Sequence, residues 1–297
     1  MNLQNCTLCP RNCHADRTKN YGFCHAGNEA EIALVSLHHW EEPCLSGKNG
    51  AGTVFFTHCS LRCIFCQNYE ISTEGKGYTV SIQRLAQIFL EQQQRGAHCL
   101  ELVTPTHYVS QIIQALDIAK QNNLTIPVVY NSSGYENTET LEALRGYVDV
   151  FLPDFKYFFN ETAKEYSHAP DYPEIAKKAI AKMYEIAGRP VFKNGIMQKG
   201  VIIRHLILPW HYKESIKIVK YIWQTYGDNI YLSLMNQYTP MYKALNHPKL
   251  KRRLTTFEYD KVVDYASDLG FTNCYIQQEK TATKDFVPDF NGKNVLK

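Results

Sequence analysis

The chain has 297 residues, 44% of them hydrophobic, and a formal net charge of +3 from 32 Lys and Arg against 29 Asp and Glu. That is enough apolar content to bury a full core as one large domain with a small appendage. Basic and acidic residues are interleaved, so no stripe or tail predicts a nucleic-acid or membrane-surface partner. No window reaches the ~18 apolar residues of a membrane span, and the start MNLQNCTLCPRNC lacks the apolar core of a secretory signal, which predicts a cytoplasmic protein. A reducing compartment makes clustered cysteines metal ligands more often than disulfides. Seven of the ten cysteines fall in two tight groups.

Residues 1–50 are rich in Cys, His, Gly and Asn with little sustained periodicity, which predicts a loop-rich extension held by something other than a core. Cys6, Cys9, Cys13 and Cys24 lie within 19 residues, with Pro10 and Gly22 shaping turns between them. Four thiols at that density predict a metal site that supplies folding free energy, either a tetrahedral zinc or an auxiliary iron–sulfur cluster. The stretch GKNGAG (47–52) precedes a strand, opens no helix and lacks Gly-Lys-Ser/Thr, so it reads as a linker and not as a phosphate loop.

From residue 53 the pattern changes. The runs TVFFTH (53–58), CLELVT (99–104), IPVVYN (126–131), VDVFLPDF (148–155), VIIRHLIL (201–208) and NIYLSLM (229–235) predict six strands. Helical spacing lies between them at 81–96, 109–123, 138–146, 171–188 and 214–227, several segments ending in Gly or Asn. Six βα units in a row predict an α/β fold with a parallel sheet, an open doubly wound sheet or a partial (β/α)6 TIM-like barrel. A last helix (257–269) and a short strand (274–277) precede a polar tail containing DFVPDF, expected to pack back on the barrel. The expected segments are the extension over 1–50, the barrel over 51–280 and the tail over 281–297.

Cys59, Cys63 and Cys66, spaced Cys-x3-Cys-x2-Cys, stand directly after the first predicted strand, where such folds present active-site residues. A cubane cluster takes four ligands, so three closely spaced cysteines leave one iron open to another molecule. A zinc site sharing Cys44 would account for the cysteines but not for the barrel around them. The loop, with aromatic Phe65 before its last cysteine and βα units after it, resembles the radical S-adenosylmethionine superfamily. Within it the pyruvate formate-lyase activating enzymes and their relatives with a cysteine-rich N-terminal extension are most similar.

The resemblance implies a [4Fe–4S] cluster on Cys59, Cys63 and Cys66. It also implies S-adenosylmethionine on the open iron, cleaved by one electron to methionine and a 5′-deoxyadenosyl radical that takes hydrogen from a substrate. The family's second strand ends in Gly-Gly-Glu; here Thr104-Pro105-Thr106 stands instead, and the hydroxyls of Thr104 and Thr106 are the acceptors left for the cofactor's amino group. By the same resemblance Asn131 and Ser133 after the third strand, Asp154 and Lys156 after the fourth, Arg204 on the fifth and Gln237 with Tyr238 after the sixth face the cofactor. Alternation along the fifth strand turns Arg204 inward and His205 to the opposite face. A reductant such as flavodoxin or ferredoxin is implied, as is a glycyl-radical enzyme's glycine, another peptide or protein, or a small molecule as substrate. The reading of another class is a non-catalytic iron–sulfur or zinc protein that carries electrons or binds metal.

Overall fold

The computed structural model describes residues 1–277 and 288–296. Its strands are β1 (Ala30–His38), β2 (Ala51–Phe56), β3 (Tyr78–Val80), β4 (Leu100–Val103), β5 (Val128–Ser132), β6 (Val150–Pro153), β7 (Val191–Lys193), β8 (Ile196–Leu206), β9 (Tyr231–Met235) and β10 (Cys274–Ile276). The helices are α1 (Pro43–Ser46), α2 (Tyr69–Ser72), α3 (Ile82–Gln94), α4 (Val109–Gln121), α5 (Thr138–Glu142), α6 (Asn160–Ser167), α7 (Tyr172–Ala187), α8 (Tyr212–Tyr226) and α9 (Thr256–Leu269).

Strands β2, β4, β5, β6, β8, β9 and β10 pair in that order and all in parallel. The architecture is the expected α/β partial barrel, each predicted strand and crossover helix being present. Every residue of β2, β4, β5 and β6 is buried, as parallel strands covered on both faces require, and this is why they read as mainly apolar runs, with Thr53, Glu101, Asn131 and Ser132 as the polar members. The outer helices each bury one stripe; α3, for example, packs Leu85, Ile88 and Phe89 inward and starts on Ser81, whose hydroxyl accepts from the Arg84 N–H.

Several elements lie outside the expectation, α2, β3 and β7 among them. The segment 1–50, expected to be loop-rich, contains β1, which runs antiparallel beside β2 and carries β3 on its other edge. Its apolar residues are masked by the Cys-, His- and Gly-rich sequence on either side. The loop after β1 leads into α1, which lies under the barrel: Cys44 and Leu45 pack with Ala51, Cys99, Val129, Val150, Leu152, Met197 and Ile202 as a lower plug. Cys44 therefore belongs to this plug and not to the group at Cys59, so the shared zinc site is not formed. Helix α6, carrying Ser167, was also not foreseen.

The extension is tied to the barrel by side chains. Buried Arg17 donates to the carbonyls of Ala26, Gly27 and His107. Arg11 donates through Nε to Ser60 O (2.8 Å), and through its two terminal nitrogens to His168 O (2.5 Å) and Ser167 O (3.1 Å). At the other end, Phe290 meets Phe55 edge-on with ring centroids 5.6 Å apart, and Gly292 N–H donates to Ala33 O. The first part of DFVPDF (285–287), the 280/281 boundary and Lys297 lie outside the described residues.

Candidate active site

The chain leaves β2 through His58 (φ 68°) and passes Cys59 to Arg62 (φ 56°), two left-handed turns that fold the cysteine loop over the end of the sheet. Each sulfur stands at hydrogen-bond distance from one group. Cys59 Sγ accepts from the Leu61 N–H at 3.4 Å, Cys63 Sγ from Ser167 Oγ at 2.9 Å, and Cys66 Sγ lies 3.2 Å from Ser72 Oγ. Burial pushes the Cys66 thiol up to about 12, with the neighbouring Cys63 adding to it. Burial also raises Cys63, against the pull of the Lys156 ammonium.

Below the loop opens a cavity of about 910 Å³. Cys59, Cys63, Phe65 and Cys66 line it from the loop, and Thr104, Asn131, Ser133, Asp154, Lys156, Arg204 and Gln237 from the strands. Thr104 has φ 58°, a strained value for a β-branched residue, and its N–H donates to Asn131 O at 2.9 Å. Thr106, expected beside the cofactor, is instead turned away: a 3-10 turn over Thr106–Tyr108 points its hydroxyl at Glu136 Oε1, 2.6 Å away, and it does not line the cavity. Tyr238 is likewise in the core, its hydroxyl donating to Leu250 O. His205 lies on the opposite face from Arg204, buried, with Nδ1 2.7 Å from Phe155 O; since a carbonyl only accepts, that nitrogen carries the proton. Burial lowers His205 to about 4, so it stays neutral.

One ionic network joins the strand ends. Asp154 accepts from Lys156 Nζ at 2.6 Å and from Arg204 Nε at 3.0 Å, while Arg204 Nη2 donates to Asn131 Oδ1 at 2.6 Å. Burial opposes ionisation of Asp154, but Lys156 and Arg204 hold its carboxyl below the usual range. Gly134 sits over this network with φ 75°, and a Cβ there would collide with the Asp154 carbonyl oxygen, so only glycine fits. Three acids missed by sequence reading complete the wall: Glu101 accepts from Asn131 Nδ2 at 2.6 Å, Glu41 Oε2 lies 3.6 Å from Arg204 Nη1, and Glu42 lines the cavity beside Glu41. Glu101 had one available signal, a lone carboxylate inside the apolar run CLELVT.

Cys6, Cys9, Cys13 and Cys24 line a second, small pocket of about 10 Å³ with Arg17 and His107. Burial raises the Cys9 and Cys24 thiols, and nearby cysteines add to the effect. Among the described residues no three Cys, His, Asp or Glu side chains are already drawn in around a single ion. The four N-terminal thiols would have to close inward on an ion. Among the described residues no helix is long and apolar enough to cross a membrane.

Residues 53–207 match the family profile described as the Radical SAM superfamily. Over 285 residues the chain is 32% identical to an uncharacterised protein, MJ0674, of Methanocaldococcus jannaschii, covering 92% of this chain and 77% of that one. Among solved structures it resembles Streptococcus suis SuiB bound to S-adenosylmethionine (TM-score 0.50, 16% identity, 74% of this chain and 48% of that one). It also resembles SuiB bound to the precursor peptide SuiA (TM-score 0.51, 16% identity, 74% of this chain and 46% of that one). The chain thus spans about half the length of these structures, and at such identity they speak for the fold alone. A profile match that begins in β2 and runs across the cysteine loop to the end of β8, together with the long match to the archaeal relative, places this chain in the radical SAM superfamily of enzymes, which bind an iron–sulfur cluster and S-adenosylmethionine.

Proposed function

We propose that Cys59, Cys63 and Cys66 hold a [4Fe–4S] cluster, and that the protein uses it to cleave S-adenosylmethionine reductively and abstract hydrogen from a substrate in the cavity beneath. The observation that carries this reading is that the three thiols and the polar strand ends line one cavity large enough for both cofactor and substrate. When bound, the cluster passes one electron to S-adenosylmethionine, which yields methionine and a 5′-deoxyadenosyl radical. The remaining work falls to the chain. Lys156, paired with Asp154, is placed to meet the cofactor carboxylate; Asn131, Ser133 and Gln237 offer polar contacts, and Thr104 its hydroxyl. Phe65, packed edge-on against Tyr166 and Tyr238, helps exclude water from the loop.

A reductant such as flavodoxin or ferredoxin supplies the electron, and the substrate is a peptide, a protein such as a glycyl-radical enzyme, or a small molecule. Cys6, Cys9, Cys13 and Cys24 form a separate closed metal site for a zinc or a second cluster, all four lining one small pocket. The test is anaerobic reconstitution, reduction with dithionite and addition of S-adenosylmethionine. Deoxyadenosine should form well above a Cys66→Ala control; its absence overturns the catalytic reading.

A further inference from the structure

Inside the cavity region four carboxylates face two cations. Asp154 is satisfied by Lys156 and by Arg204. Arg204 is then left to answer the fields of Glu41, Glu42 and Glu101 with a single charge. Two buried oxygens have no hydrogen-bond partner, Oε2 of Glu42 and Oε2 of Glu101. Glu42 is 9% exposed and lines the cavity, and its unpartnered oxygen is buried within that wall. Leaving a buried carboxylate oxygen without a donor is costly, and the deficit here is of positive charge. Burial, with repulsion from neighbouring carboxylates, pushes the Glu41, Glu42 and Glu101 carboxyls above their ordinary range against the pull of Arg204.

The position of these acids decides whose cation they await. Glu41 and Glu42 follow the end of β1, where His38 pairs with Ala51 at the start of β2, whereas Cys59 follows the far end of β2. At about 3.3 Å per residue, β2 separates the two by roughly 15–20 Å. A cofactor held against the cysteine loop keeps its amino group near that loop, while Asp154 and Arg204 stand between Lys156 and Glu41. Trp40, also in the cavity wall, offers an aromatic face of the kind cations favour.

We propose that the end of the cavity at Glu41 and Glu42 is the substrate subsite for a cationic group, a primary ammonium or a guanidinium, with Glu42 as its ion-pair partner and Glu41 and Glu101 behind it. The inference rests on the proposed function for its account of the cavity. The substrate class is therefore a basic amino acid, alone or within a peptide, or a simple amine.

The test uses the full chain, reconstituted anaerobically, and matched probes: Nα-acetyl-arginine amide against its citrulline counterpart, and Nα-acetyl-lysine amide against its norleucine counterpart. Calorimetry should give a dissociation constant about tenfold or more lower for at least one cationic probe than for its neutral match, and Glu42→Gln should erase that gap. The comparison within the unaltered protein stands even if the variant fails to fold, which circular dichroism reports. Equal binding of the matched probes, no binding of either cation at millimolar concentration, or a preference that persists in folded Glu42→Gln overturns the subsite. So does loss of the preference on saturation with S-adenosylmethionine, which would assign the acids to the cofactor. Cation preference without deoxyadenosine formation would sink the radical reading and leave the subsite standing; deoxyadenosine without the preference would sink the subsite alone.

Discussion

Ser167 Oγ donates to the sulfur of Cys63 at 2.9 Å, and the Tyr157 hydroxyl lies 2.6 Å behind it on the same serine. A hydrogen bond to a cluster sulfur favours the more negative, reduced form, so this short relay raises the reduction potential. Ser167→Ala should keep its iron and lower the cluster potential by up to about 60 mV, the one-electron equivalent of about 1.4 kcal/mol. Spectroelectrochemistry on the reconstituted protein checks this, and an unchanged potential removes Ser167 from the tuning role.

Lys156 pairs with Asp154, which Arg204 also holds. Lys156→Ala should therefore leave Asp154 seated while removing a charge-assisted contact to the cofactor. The expected result is a dissociation constant for S-adenosylmethionine weaker by about 10- to 100-fold, with cluster absorbance unchanged. Equilibrium binding that matches the parent protein would return Lys156 to a structural role.

If Cys6, Cys9, Cys13 and Cys24 form their own closed site, a Cys59/Cys63/Cys66 triple alanine variant keeps that metal and loses all cofactor cleavage. Metal and sulfide analysis identifies it: about one zinc per chain without sulfide supports the single-ion site. Residual iron with sulfide points to an auxiliary cluster, and no metal at all leaves Arg11, Arg17 and their carbonyl partners as what holds the extension.

Glu136 is 2% exposed and accepts from Thr106 Oγ1 and Tyr130 OH, and burial pushes its carboxyl from 4.5 up to about 7. A carboxyl raised in the folded state binds more protons there than in the unfolded chain, so its contribution is present at low pH and lost as pH rises between about 4.5 and 7. The loss is on the order of 3 kcal/mol. Denaturant unfolding of Glu136→Gln across that range should show a shallower fall in stability than the parent; parallel curves would refute the assignment.

The six strands of the barrel were legible because a parallel strand buried on both faces must be mainly apolar, and the cysteine loop because cluster chemistry is local in sequence. What was not legible depended on long-range placement. Thr106 carries the right hydroxyl, but a single 3-10 turn sends it to Glu136. Glu41 and Glu42 precede a short helix as surface acids commonly do, and only the passage of α1 beneath the barrel buries them. β1 was hidden by the composition of its neighbours, although its own run AEIALVSLH is mostly apolar.

Arg11 joins carbonyls at Ser60, Ser167 and His168, so the start of the chain is completed by residues some 150 positions later. During synthesis the extension emerges first, yet its docking partner on α6 does not exist until more than half of the chain has been made. A metal captured early by the four leading thiols would give that segment a shape while it waits. The cysteine loop, in turn, gains Ser167, the serine that bonds Cys63, from the same late segment.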